Sequence, residues 1–166
     1  MNIQFKQIEI KDKQTVLNLF KETAEKIHKM NVDHWQYWKN PPQEKIQWVE
    51  KGIQNNEFFF INLEGDENIG MVRIMNEDFL YWGEQNKKAK YIHSLVIKET
   101  YNGKGIGSLV IDAIGKRALK NDCKYLRLDA VSNNISLCKY YEKLGFKKVG
   151  EKEMPLSINN LYQKKL

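Results

Sequence analysis

Apolar and polar positions along the chain change period several times, and each change marks an element. Ile3, Phe5 and Ile8 open the chain with a strand-like spacing, and Leu17, Phe20, Ala24 and Ile27 then recur at helical spacing. Asp12 is placed to cap that first helix. Between Met30 and Pro42 the periodicity is lost among Trp35, Tyr37 and Trp38, before Pro41 and Pro42. A short helix is expected from about Gln43 to Lys51. Phe58 to Ile61 and Ile69 to Met75 read as two strands joined by a turn from Glu64 to Asn68. A polar stretch, Trp82 to Lys88, leads into a central strand over Tyr91 to Ile97. Ile106 to Ala118 has helical spacing, and Tyr125 to Ala130 alternates as a strand. Asn133 to Leu144 reads as a capped helix stopped by Gly145. A strand to about Glu153, a break at Pro155 and a last strand from Asn160 to Lys165 close the pattern.

The resulting order, β-α-α-β-β-β-α-β-α-β-β, predicts an α/β chain with a mixed, twisted sheet flanked by helices. There is no repeat, low-complexity tract or linker, so residues 1–166 are expected to form a single domain.

The segment Tyr101-Asn102-Gly103-Lys104-Gly105-Ile106-Gly107-Ser108 lies at a strand-to-helix junction. Three glycines there let backbone N–H groups approach one point without Cβ atoms in the way. Such a turn at a helix start attracts an anion, phosphate or pyrophosphate above all. It is not a P-loop, because Gly107 and not lysine precedes Ser108. Nor does it complete a dinucleotide fingerprint, since Ser108 stands where the third glycine belongs.

Two motifs together make the chain resemble the GNAT superfamily of acetyl-coenzyme A-dependent N-acetyltransferases. Asn102-Gly103-Lys104-Gly105-Ile106-Gly107 follows that family's (Arg/Gln)-x-x-Gly-x-(Gly/Ala) cofactor motif, with asparagine where arginine or glutamine is usual. Asn134 and Tyr141-Glu142-Lys143-Leu144-Gly145-Phe146 match its downstream Asn…Tyr-Glu-(Lys/Arg)-x-Gly-Phe segment. The matched region covers roughly residues 89–150. The resemblance implies a GNAT-like acyl-CoA N-acyltransferase fold whose central strands splay to admit the pantetheine arm. It implies acetyl-CoA as cosubstrate and no metal. Backbone groups of Leu95, Val96 and Ile97 would pair with the cofactor arm like an added strand. Asn102, Gly103, Lys104, Gly105, Ile106, Gly107 and Ser108 would form the cofactor loop, and Asn134 would bond the arm or simply cap its helix. The shorter Asn102 leaves more of the phosphate to backbone amides and Lys104.

The resemblance also gives Tyr141 the role of general acid toward the departing thiolate. Packing on its helix face is the competing reading, and the full motif favours the acid. His93, two residues before Leu95, has the right unperturbed pKa for a base at neutral pH. Arylalkylamine N-acetyltransferases of the same superfamily resemble this His-x-Leu pattern. Asp129, Asp78 and an ordered water chain compete with it. Asp129 would also grip an acceptor ammonium, or cap a turn. Trp35 and Trp38 are compatible with an acceptor pocket or with a satellite hydrophobic cluster.

The expected reaction is direct attack of a small-molecule primary amine on acetyl-CoA. The alternatives are a protein N-terminal or lysine acetyltransferase, and a non-catalytic acyl-CoA sensor. Composition adds boundaries. The charge of +6 is spread over scattered lysines mixed with acids, without a nucleic-acid motif. No apolar run has membrane-spanning length, and no signal segment opens the chain. Cys123 and Cys138 form no metal spacing or disulfide framework. The expectation is a cytoplasmic enzyme without nucleic-acid or membrane partners, and homodimerisation stays open.

Overall fold

The computed structural model describes residues 2–166. The elements follow the expected order with one addition. They are β1 (Ile3–Gln7), α1 (Lys13–Lys29), α2 (Gln43–Gln54), β2 (Phe58–Leu63), β3 (Asp66–Met75), α3 (Phe79–Trp82), β4 (Ala89–Ile97), α4 (Ile106–Lys120), β5 (Tyr125–Val131), α5 (Ile135–Lys143), β6 (Lys147–Met154) and β7 (Ser157–Lys165). The short α3 interrupts the polar connection before β4, and β7 begins three residues earlier than its polar start suggested. The strands form a seven-stranded mixed sheet in the order β1-β2-β3-β4-β5-β7-β6.

The chain divides into two compact units: residues 1–73 with 94–107, and residues 74–93 with 108–166. Strand β4 contributes its second half to the first unit and its first half to the second.

In the first unit β1, β2 and most of β3 form an antiparallel meander. Residues Phe58 to Ile61 are all buried, as a strand covered on both faces requires. Helix α1 contributes Val16, Leu19, Phe20 and Ala24 to the core, and α2 contributes Val49 and Ile53. Asp12 stands at the expected cap position of α1, but its carboxylate accepts from Glu9 N–H at 3.0 Å and serves the preceding turn. Gly70 is a packing requirement: a Cβ there would lie 2.1 Å from the Val96 carbonyl oxygen on β4. Beyond it Lys98 N–H donates to Ile69 O at 2.9 Å, keeping the end of β4 beside β3.

In the second unit β4 runs parallel to β5 only over Ala89–Tyr91 and Tyr125–Arg127. Strand β5 pairs antiparallel with β7 along its whole length, and β6 completes a hairpin with β7. Helix α5 has the expected ends. Asn134 Oδ1 accepts from Leu137 N–H at 3.1 Å, and Gly145 supplies the left-handed stop with φ of 87°.

Candidate active site

Within the second unit, strand alternation brings side chains from four elements to one place. Tyr91 and His93 share a face of β4, as Arg127 and Asp129 do on β5. His93 Nε2 lies 2.7 Å from Asp78 Oδ2, and His93 Nδ1 lies 3.5 Å from Asp129 Oδ1. Asp129 Oδ2 accepts from Asn159 Nδ2 on β7 at 2.6 Å, and Ser157 Oγ donates to Asn159 Oδ1 at 2.6 Å. The Tyr81 ring leans on the imidazole with centroids 5.5 Å apart. One imidazole is therefore held between two carboxylates.

All three groups are withdrawn from water. Their side chains are 4 % exposed for Asp78, 11 % for Asp129 and 14 % for His93. Burial raises the Asp129 carboxyl above its ordinary value, opposed by the His93 charge and the Asn159 hydrogen bond and reinforced by Asp78. Arg127, also buried, balances this acidity two residues along β5. Its Nη1 donates to Tyr91 Oη at 2.7 Å and its Nε to Gln163 Oε1 at 2.9 Å, and Trp82, Tyr91 and Tyr125 surround the guanidinium.

Tyr141 belongs to the same unit. Its ring packs edge-on to Phe146 at 5.9 Å and tilted to Tyr162 at 6.3 Å. Burial first, and then the neighbouring Tyr140, Asp129 and Cys138, push its phenol well above the ordinary value. The Tyr141 hydroxyl therefore keeps its proton throughout the neutral range.

In the first unit the predicted cofactor residues meet a cleft. Val96, Ile97 and Asn102 line a cavity of about 520 Å³ together with Thr23, Lys26 and Lys29 of α1. The loop beyond is open: Asn102, Gly103, Lys104 and Gly105 are exposed, while Ile106 is buried as an anchor. Gly103 and Gly105 have φ of 72° and 70°, the left-handed region that disfavours any Cβ. A Cβ at Gly103 would meet nothing within 4 Å, so backbone conformation and not crowding demands glycine there. Two left-handed glycines in an exposed loop fit a phosphate approached by backbone. Lys104 Nζ rests 5.3 Å from the Tyr101 ring centroid. Ser108, already in the second unit, is half-buried in the first turn of α4.

Of the two uses open to the aromatic segment, acceptor pocket or hydrophobic cluster, the packing matches the second. Trp38 is 3 % exposed and stacks face to face on Phe20, with centroids 4.0 Å apart. Trp35 packs edge-on to the same Phe20 at 5.5 Å. Both serve the core of the first unit, and Trp38 has no open face for a ligand. Asp78 entered the sequence reading only as a rival base, and Tyr81, Ser157 and Asn159 did not enter it. Asp78 caps the one-turn α3 and Tyr81 lies in it, while Ser157 and Asn159 belong to the polar start of β7, so none of them stood out from a local pattern.

A family model described as the acetyltransferase (GNAT) family matches residues 24–146. The chain belongs to that family. An N-acetyltransferase of Bacillus subtilis strain 168, YokL of the SPbeta prophage, is 31 % identical over 109 residues, which is 63 % of this chain and 56 % of that relative. The chain thus matches only about half the length of this curated relative. A GNAT acetyltransferase structure from Listeria monocytogenes 4b F2365 superposes with a TM-score of 0.80 at 21 % identity, covering 99 % of this chain and 95 % of the other. The PaiA N-acetyltransferase of Thermoplasma acidophilum, solved with coenzyme A, superposes with a TM-score of 0.62 at 19 % identity over the whole of both chains. These likenesses establish the GNAT fold: a mixed sheet with the element order of an acyl-CoA N-acyltransferase. None of the helices among the described residues is long and apolar enough to cross a membrane.

Proposed function

We propose that this GNAT protein transfers an acetyl group from acetyl-CoA to a small-molecule primary amine. The observation that carries the reading is the His93 imidazole held between Asp78 and Asp129. An alkylamine resembles lysine, with a pKa of about 10.4, and arrives as an ammonium. Buried carboxylates favour such a cation, and an adjacent imidazole takes its proton to make the nucleophile. The burial of this acidic site supports a compact acceptor over a folded protein surface.

Acetyl-CoA supplies the activated thioester carbonyl. Gly103, Gly105 and their neighbours offer it backbone N–H groups, with Lys104 as an added cation, while Val96 and Ile97 offer strand backbone. Tyr141 holds a proton at Oη and offers it to the departing sulfur. Its raised pKa makes full transfer to the departing thiolate, whose thiol has a pKa of about 8.5, uphill, so its contribution is a hydrogen bond to developing negative charge. Asp129 orients the acceptor, and His93 is the base.

The test is release of free coenzyme A thiol in the presence of a panel of small primary amines and of lysine- and N-terminal-amine peptides. Turnover with small amines and none with peptides is the expected result. Preferential turnover of peptides would replace the acceptor class. Tight binding of acetyl-CoA with no turnover on any amine would identify a sensor.

A further inference from the structure

We infer that Asp78 is the positioning residue that sets the tautomer of His93, placing the reactive lone pair on Nδ1 beside Asp129. The inference rests on the reading of His93 as the base.

Both Asp78 oxygens are committed. Oδ1 accepts from Tyr81 N–H at 3.3 Å and so caps α3, while Oδ2 lies 2.7 Å from His93 Nε2. Both ring nitrogens face a carboxylate, which only accepts. Asp78 Oδ2 at 2.7 Å is much nearer than Asp129 Oδ1 at 3.5 Å, so the single proton of the neutral ring sits on Nε2. In the neutral ring the lone pair is then on Nδ1, which faces Asp129 Oδ1 at 3.5 Å. Asn159 turns Asp129 the same way by holding its other oxygen at 2.6 Å. The proton that moves during turnover therefore passes at Nδ1, with Asp129 as the carboxylate beside it. Asp78 is excluded as a base by its two bonds and its 5 % exposure, and it acts only through His93. It also fixes the one-turn helix that lays Tyr81 against the imidazole.

Asp78→Asn is a sharp test because Tyr81 N–H still requires an acceptor. Asparagine must keep its oxygen there, which turns its NH₂ group onto His93 Nε2. That nitrogen then has to accept, and the ring proton is driven to Nδ1. The same loss of the correct tautomer follows when the carboxylate behind a catalytic histidine becomes an amide in serine proteases.

The experiment is ¹⁵N NMR of the full-length protein labelled at its 3 histidines, with the ring neutral and His93 assigned by His93→Gln. The wild type should show Nε2 protonated, and Asp78→Asn should show Nδ1 protonated. Turnover in Asp78→Asn should fall by about 10²- to 10⁴-fold with acetyl-CoA affinity unchanged. Asp78→Ser keeps a capping hydroxyl but does not span to the ring, so it should give mixed tautomers. If Asp78→Asn does not fold, the wild-type and Asp78→Ser spectra decide. A wild-type ring protonated at Nδ1, or a tautomer indifferent to residue 78, overturns the inference. An inverted tautomer with undiminished turnover keeps Asp78 as tautomer-setter and overturns His93 as the base.

Discussion

The glycine loop of the first unit and the His93 cluster of the second are built in opposite ways. Residues 102–105 are exposed, and two of them adopt left-handed backbone, so their chemistry is that of the main chain. His93, Asp78 and Asp129 are buried, and their chemistry is entirely that of side chains delivered from separate elements. An exposed loop of this kind suits a multiply charged phosphate, which tolerates water. The cluster excludes water, which strengthens each charge interaction and makes each unpaired charge expensive. Backbone sites of this kind are specified locally, whereas buried side-chain sites are specified by the whole fold.

Replacing Tyr141 strikes the side-chain route hardest. Tyr141→Phe keeps the packing on Phe146 and removes one donor to the leaving sulfur, so kcat should fall by about 10²- to 10³-fold. Acetyl-CoA affinity by calorimetry should hold, and wild-type turnover under rate-limiting chemistry would return Tyr141 to the core.

The main-chain route is broken at Gly105. A β-branched residue at φ of 70° costs about 1–2 kcal/mol in backbone strain alone and places atoms where phosphate approaches. Gly105→Val should weaken acetyl-CoA binding by roughly tenfold or more. Undiminished binding would move the phosphate elsewhere.

A third substitution separates stability from activity. The Asp129 carboxyl is raised by burial, so the folded protein binds that proton more tightly than the unfolded chain. Stability is therefore lost as pH climbs from 3.8, the ordinary carboxylate value, through the raised folded value. Asp129→Asn should raise Tm at pH 7, by about 2–4 °C for each kcal/mol recovered, with the gain vanishing in acid. Turnover should drop in the same variant. A lower Tm at pH 7 would show that the His93 ion pair outweighs desolvation.

The smallest effect is expected at Lys104, an exposed side chain in the loop for which we propose a backbone role. Lys104→Ala should weaken cofactor binding by about 1 kcal/mol or less, decreasing with salt. A loss as large as that in Gly105→Val would erase the contrast between the two routes.

This contrast also explains what the chain disclosed before its structure was known. The glycine loop, the Asn134 cap and the Gly145 stop announce themselves because backbone conformation restricts residue type at the position itself. Strand β2 was legible for a related reason, being apolar at four successive positions. Helix α3, at four residues, is too short to show a period. The Asp78–His93 pair spans 15 residues and the Asn159–Asp129 pair spans 30, so neither leaves a local pattern. The Trp35–Trp38 segment left pocket and cluster both open because aromatic rings serve either, and its packing on Phe20 separates the two uses.

The assignment of residues to the two units has a consequence for how the molecule is made. The first is drawn from residues 1–73 and 94–107, so its last piece is synthesised before residues 108–166 of the second. The second needs residues 74–93 to wait for the stretch from Ser108 onward. No single scission of the chain yields the two as separate fragments. The glycine loop is thus made before the greater part of the second unit, and His93 before Asp129, which faces it, and Asn159, which holds Asp129.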